Sequence, residues 1–327
     1  MNPYQRRQFL QLLGAGAALA LPGAAALGQG GASVKLLVGF PPGGGTDAIA
    51  RLLAERLKDE LGVPVIVENK AGAGGQLAAQ ALKAAAPDGT TLFLSHDHTV
   101  SILPLVVKNP GFDPARDFAP VAGFASFANA VALSGGTPAQ SLADYFAWVK
   151  GAGGGKGSVG IPAPASVPEF LVGVMAQRAG LDLVPVPYRG SAPMMQDMLG
   201  NQIAAGVGSV PDFIENHRAG KLRIVAVMGA QRQAALPGVP TLAEADIPGF
   251  DELPYYGLFA PAGTPAARLE LISAAMARVL AQAEVRDRLS AMGLNVAHMA
   301  PAQLAQRERA YTGTWARIIQ ASGFTPK

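Results

Sequence analysis

The sequence predicts an α/β protein of two lobes, each built on a mainly parallel sheet flanked by helices, and three observations carry that prediction. A chain of 327 residues exceeds what one hydrophobic core usually serves, so two domains are the natural expectation. Strand-like and helix-like stretches alternate along residues 33–130 and again along 131–255, the pattern of strands that are covered on both faces. Half of the residues are hydrophobic and 15% are charged, which supplies two cores and excludes disorder over the whole chain.

The first 26 residues read as an export signal. Arg6-Arg7-Gln8-Phe9-Leu10 precedes a short apolar run from Leu12 to Leu21, a Pro22-Gly23 break and Ala24-Ala25-Ala26, the three parts of a secretory leader. The apolar run is about half of the ~20 residues that a membrane span needs. The arginine pair is twin-arginine-like, and plain Sec export is the alternative; cleavage is expected after Ala26, with Gly28 as a second choice. Arg6 and Arg7 are the leader's charged residues, so its removal lowers the formal charge from +3 to +1. With no run of Lys or Arg and only 6% aromatic residues, neither a phosphate track nor a base-stacking platform is present, and nucleic acid is not an expected partner. The absence of cysteine removes disulfides, thiolate metal sites, a thiol nucleophile and a lipid-anchor cysteine together.

Val34 to Val38 is an apolar run bounded by turn residues, a buried strand. Ile49, Leu52, Leu53, Leu57 and Leu61 then recur at helical spacing until Gly62 stops the helix. A strand at Val63 to Val67, the glycine loop Ala71 to Gly75, an alanine-rich helix to Ala86, the Pro87-Asp88-Gly89 turn and a strand at Thr91 to Leu94 follow. The middle region starts near Val131-Ala132-Leu133, and Thr137-Pro138-Ala139-Gln140 predicts a capped helix through Trp148. Helices at Val167 to Ala179, Met194 to Leu199 and Asp212 to Ala219 alternate with strands at Leu183 to Val186, Gln202 to Val207 and Leu222 to Met228. From Tyr255 the pattern reads strand, Pro-Ala-Gly-Thr-Pro loop, helices Ala266 to Ala281 and Glu284 to Met292, a short strand near Val296 and a last helix with Trp315 and Ile318.

The segment Phe40-Pro41-Pro42-Gly43-Gly44-Gly45-Thr46-Asp47 joins the first strand to the first helix. Glycines let the backbone turn sharply and aim free N–H groups at a guest, while the helix N-terminus adds positive partial charge. Thr46 can cap the helix and Asp47 suits its first turn. An anion site follows from this. Gly43-x-Gly45-x-x-Ala48 also meets the relaxed dinucleotide fingerprint, with Glu68 about where a ribose-binding acid belongs, so an exported nicotinamide-dependent oxidoreductase is the alternative. Pro41 and Pro42 withhold donors and Asp47 would face a doubly charged pyrophosphate, which favours a singly charged carboxylate.

Several stretches now stand in order: the loop at 40–47 with Ala50-Arg51; Val67-Glu68-Asn69-Lys70-Ala71-Gly72-Ala73-Gly74-Gly75; Ala86-Pro87-Asp88-Gly89-Thr90; Phe112-Asp113-Pro114; Val186-Pro187-Tyr188-Arg189-Gly190-Ser191; Ala219-Gly220-Lys221-Leu222-Arg223; Leu236-Pro237-Gly238-Val239-Pro240-Thr241; and Ala260-Pro261-Ala262-Gly263-Thr264-Pro265. In that order the chain resembles the Bug-type substrate-binding proteins of tripartite tricarboxylate transporters over nearly the whole mature length. The resemblance implies a type II-like periplasmic-binding fold whose lobes, 33–130 with 256–327 and 131–255, are joined by crossing strands and close over one ligand without a cofactor. It implies a monomeric periplasmic receptor that takes a small organic acid or related metabolite and delivers it to a permease of two integral membrane subunits. A carboxylate is then held by two loops, Phe40 with Pro42 to Asp47, and Pro164-Ala165-Ser166. Where many members carry Gly-Ser and a His-Leu pair, this chain has Ala165-Ser166 and Glu169-Phe170.

Outside the loops, Ser209 and Asp212 sit at a strand end before a helix, a position that faces the cleft in two-lobed α/β folds. Tyr188 and Ser191 flank a turn whose Arg189 is a reserve candidate for a second carboxylate. His96-Asp97-His98 offers two metal ligands on one strand face, but no third ligand follows at sensible spacing, and the segment reads as a polar loop lining the cleft. No G-x-S-x-G or H-E-x-x-H pattern occurs, and no catalytic set is found.

Overall fold

The computed structural model describes residues 33–321 and 323–326; the leader assigned to residues 1–26 lies outside them. Strand β1 (Val34–Val38) is buried at all but Lys35, as a central strand must be, and β2 (Val65–Asn69) and β3 (Thr91–His96) pair with it in parallel on its two sides. The chain then forms β4 (Phe118–Phe127) and, with Ala128 alone between them, β5 (Asn129–Ser134), followed by β6 (Lys156–Ile161), β7 (Asp182–Pro187), β8 (Ala205–Ser209), β9 (Leu222–Val227), β10 (Tyr255–Pro261) and β11 (Leu294–Met299). One sheet has the order β11-β4-β10-β3-β1-β2 and the other β7-β6-β8-β5-β9.

Both sheets are mixed. The expected parallel pairings occur at β2-β1-β3 and β7-β6-β8, while β10 runs against β3 and β4, and β5 against β8 and β9. The antiparallel pairs come from the strands that carry the chain between the sheets. β4 passes straight into β5, and the return runs from Met228 to Pro254 before β10 begins. The two crossings are tied together: Phe127 N–H donates to the Pro254 carbonyl at 3.1 Å, and Met228 N–H to the Asn129 carbonyl at 2.8 Å.

Local chemistry moves some boundaries. Pro64 has no N–H and its carbonyl accepts from Val34 at 2.8 Å, so the second strand starts at Val65 rather than Val63. The helix after the glycine loop spans Gln76–Lys83 and stops short of Ala86. The helix expected from Pro138 begins at Leu142 instead, because Ser141 is extended and its Oγ accepts from Asp144 N–H at 3.1 Å, while the Asp144 carboxylate accepts from Gln140 N–H. Thr137, the expected cap, donates to the Ala204 carbonyl. The strand expected from Gln202 forms at Ala205, because Gln202 N–H closes the preceding helix on the Asp197 carbonyl.

The last helix, Pro301–Ala321, touches elements of both sheets. Tyr311 donates to Asp97 at 2.9 Å, after β3, and the Trp315 ring lies 5.8 Å from that of Phe170, in the helix after β6. Arg307 pairs with Glu252 at 3.0 Å and donates to the Leu253 carbonyl, which fastens the return crossing.

If Ser141 rather than Thr137 caps the helix, Ser141→Ala lowers the unfolding free energy by about 1 kcal/mol, read by denaturant titration at constant slope. An unchanged midpoint would place the cap elsewhere.

Candidate functional site

Four helices begin at one cavity. The helix Gly45–Leu61 presents Gly44 and Thr46 to it, Val167–Ala179 presents Ser166, Val167 and Pro168, Ser191–Leu199 presents Ser191, and Val210–Arg218 presents Ser209 and Asp212. The cavity measures about 50 Å³. The first-turn N–H groups of a helix have no partner within it, so four such starts bring main-chain dipoles and positive partial charge to the cavity. The Gly45 and Val210 amides already donate to Asp212 and the Ala128 carbonyl, and Pro168 and Pro211 have no N–H.

An aromatic wall faces these starts. The Phe40 ring stacks on His96 at 4.9 Å, and Phe127 and Tyr256 meet the His96 ring edge-on at 5.8 and 5.5 Å. Tyr256 shares a 3.1 Å hydrogen bond with Thr46, and burial raises its phenol further from ionisation.

Phe40, Gly44, Thr46, Ser166, Ser209 and Asp212 come together at this cavity, whereas Pro42, Gly43, Gly45, Asp47 and Ala165 do not line it. Pro42 and Gly43 are exposed. Gly43 alone of the three loop glycines has positive φ (+86°), and its N–H donates to Asp47 at 3.1 Å. Gly44 sits at φ −86°, an ordinary extended conformation, and it caps the helix in place of Thr46, whose hydroxyl goes to Tyr256. The Gly45 N–H donates to Asp212 Oδ1 at 2.8 Å, from one sheet's loop to the other's.

Asp47 is buried behind the loop. It accepts from Arg51 Nε at 2.9 Å and Asn69 Nδ2 at 2.9 Å, and Asn69 also donates to the Phe40 carbonyl. Burial would raise its carboxyl, but the bonds from Arg51, Asn69 and Gly43 outweigh it and hold the group below the usual range. Ala165 (φ +50°) donates its N–H to Glu169 at 2.5 Å, and Ser166 Oγ donates to the Ala163 carbonyl at 2.6 Å. Arg189 lies in a neighbouring groove with Pro41 and Tyr188, and Tyr188 donates to Asp197 at 2.7 Å.

Residues 49–324 match the family described as "Tripartite tricarboxylate transporter family receptor". The chain belongs to that family. The receptor is 30% identical to protein BugT of Bordetella pertussis over 295 residues, 89% of each chain. Two solved structures are similar to it: a protein of R. palustris with adipate (28% identity, TM-score 0.85, 90% of this chain and 98% of that one), and MatC of Rhodopseudomonas palustris with bound malate (30%, 0.80, 88% and 98%). Receptors of this kind bind solutes and are not enzymes, and the two-lobed α/β fold is the one these neighbours share.

The dinucleotide reading of the receptor's first loop meets a physical obstacle as well. Asp47 stands on the Gly43 amide and Asp212 on the Gly45 amide, so a doubly charged pyrophosphate at this loop would face two carboxylates. Glu68, the supposed ribose acid, pairs with Lys70 at 2.7 Å on the surface.

Sequence reasoning missed Phe127, Asn129 and Tyr256, all at the crossings, and Ala163. A periodicity argument sees those strands as core, and only the crossing topology brings their ends to the cavity. Of the His96-Asp97-His98 segment, all three residues line the cavity, with His98 opening a helical turn rather than continuing the strand. Desolvation, helped by His96, lowers His98 to about 4 from 6.5. Asp97 opposes the shift.

This sets a pH signature. Between pH 6.5 and 4 the unfolded chain binds a proton at His98 that the folded receptor does not, so stability falls as pH falls through that window. From pH 7 to pH 5 the receptor loses about 2 kcal/mol of unfolding free energy through His98. His98→Gln should lack this component in denaturant titrations at the two pH values, and identical pH dependence would refute the assignment.

Proposed function

We propose that this receptor captures a small carboxylate-bearing metabolite between two lobes in the periplasm, where it diffuses as a monomer, and delivers it to a permease of two integral membrane subunits. One observation carries the reading: four helix N-termini surround a single cavity between the sheets. Main-chain amides and dipoles at helix starts suit a carboxylate, which needs several donors in a small space. The adipate and malate in the names of the similar R. palustris structures agree with that chemistry. Among the described residues no helix is long and apolar enough to cross a membrane.

The lobes are residues 33–130 with 256–327, and 131–255. Their hinge is the pair of crossings at Ala128 and at 228–254. Opening there separates the loop Phe40 to Asp47 from Ser209 and Asp212, and closing on the solute brings both sets of donors to it. The carboxylate sits at Gly44, Gly45 and Thr46 on one side and at Ser166 and Val167 on the other.

Gly44→Val tests this. A Cβ at Gly44 would lie 2.8 Å from Ser191 Oγ, across the cavity, so a branched side chain keeps the lobes from closing. The backbone at φ −86°, ψ 168° accepts valine, so the fold survives. The probe is the small acid recovered by mass spectrometry from protein purified out of the periplasm. Its affinity in calorimetry should fall at least tenfold, about 1.4 kcal/mol, with little change in melting. Full-strength binding by Gly44→Val would mean that the loop only turns the chain.

A further inference from the structure

The cavity is lined by two carboxylates, Asp97 and Asp212, and by no lysine or arginine. Asp97 has close partners: Tyr311 donates to it at 2.9 Å and His96 Nδ1 lies 3.3 Å away, so any charge on His96 is already adjacent to Asp97. Asp212 is different. Its Oδ1 accepts from Gly45 N–H (2.8 Å) and Ser191 Oγ (2.6 Å), and its Oδ2 from Ser209 N–H (3.2 Å) and Ser209 Oγ (2.6 Å), all neutral donors. A carboxylate inside a cavity with hydrogen bonds but no cation leaves a negative potential there that a positive group on a guest relieves.

A second observation is independent of the acids. His98 lines the same cavity at 6% exposure, and its Nδ1 has no hydrogen-bond partner. An unpaired imidazole nitrogen buried at the wall of a ligand cavity asks for a polar group from the guest. A purely aliphatic far end would leave it unpaired, and a second carboxylate would stand among Asp97 and Asp212 without a counter-charge.

We propose that the solute is a zwitterion, an amino-acid-like molecule whose carboxylate takes the Gly45 N–H and whose ammonium takes Asp212, the two ends of the hydrogen bond that joins the loops of the two sheets. This rests on the carboxylate reading above and adds to it the charge of the ligand's other group. The exchange conserves hydrogen bonds. The amide keeps an anionic acceptor, and Asp212 trades a neutral donor for a charged one. Asp212 is then the residue that separates amino acids from hydroxy acids and dicarboxylates.

The test is calorimetric titration of the purified receptor with matched pairs that differ in one group: alanine and lactate, phenylalanine and phenyllactate, glutamate and 2-hydroxyglutarate, together with malate and adipate. At least one amino acid should bind tenfold or more tightly than its hydroxy partner and than malate or adipate, and Asp212→Asn, which keeps the shape and an acceptor oxygen, should bring that ratio near one. Malate, adipate or a hydroxy acid binding as tightly as every amino acid would overturn the proposal, as would a preference unchanged in Asp212→Asn. The wild-type ratio decides by itself should the variant fail to fold. Acids bound without preference for the amino partner would sink this inference and leave the carboxylate receptor standing; no binding of any of these compounds would sink both.

Discussion

The hydrogen bond from Gly45 N–H to Asp212 Oδ1 links residues 167 positions apart in sequence, and much of the site is arranged around it. The N–H of a helix's first residue finds no acceptor inside the helix and must be satisfied from outside. Here the acceptor comes from the other sheet, so a local requirement of one helix becomes a contact between lobes. The close approach explains the composition of the loop: a Cβ at Gly45 would press on Pro211 at 2.9 Å and one at Gly44 on Ser191 at 2.8 Å. Glycine is needed at both for clearance across the cavity. Only Gly43, with its positive φ, is needed for conformation.

Two aspartates serve the same helix start in different ways. Asp47 binds Arg51, Asn69 and the Gly43 N–H, all on its own side of the cavity, and thereby fixes the shape of the loop before any partner arrives. Asp212 reaches the loop from the far side and is held by Ser191 and Ser209 from its own lobe. On the proposed closure, a rigid donor array faces an acceptor carried by the opposite lobe, and the amides become available when the lobes part. The proposed hinge suits that motion. Ala128 is the one residue between β4 and β5, and the hydrogen bonds tying the two crossings constrain them to bend together.

Much of this was legible in the sequence. Apolar runs and helical spacing located Val34–Val38 and the helices 45–61, 167–179 and 266–281 closely, because each is bounded by glycine or proline chemistry that acts over a few residues. The capping of the helix at Leu142 was misplaced, since Thr137 and Ser141 both meet the local rule and only tertiary contacts choose between them. Of the residues lining the cavity, Gly44, Thr46, Ser209 and Asp212 are legible from their position at helix starts, and Ser166 through the family resemblance. Asp47 looked the same and points away, because Arg51 and Asn69 draw its carboxylate behind the loop, and Asn69 is 22 residues distant. Tyr256 and Phe127 carry no local sign of a ligand site. Their place at the cavity follows from where two crossing strands end.

The two sides of the cavity answer different chemical questions. Helix starts recognise a carboxylate through main-chain amides, which any sequence with the right glycines and turns supplies, and this fits the similarity in fold to receptors solved with malate and with adipate. Discrimination beyond that end has to come from side chains, since backbone amides accept any small anion alike. On this receptor the side chains available for it are Asp97, Asp212, His98 and the ring wall of Phe40, His96, Phe127 and Tyr256. Burial keeps His98 neutral at ordinary pH, and no lysine or arginine joins it. On the proposed reading such a pocket attracts carboxylates by dipoles and favours, through Asp97 and Asp212, those that also carry a positive group, so a change of a single acidic side chain can redirect its specificity while both sheets stay as they are.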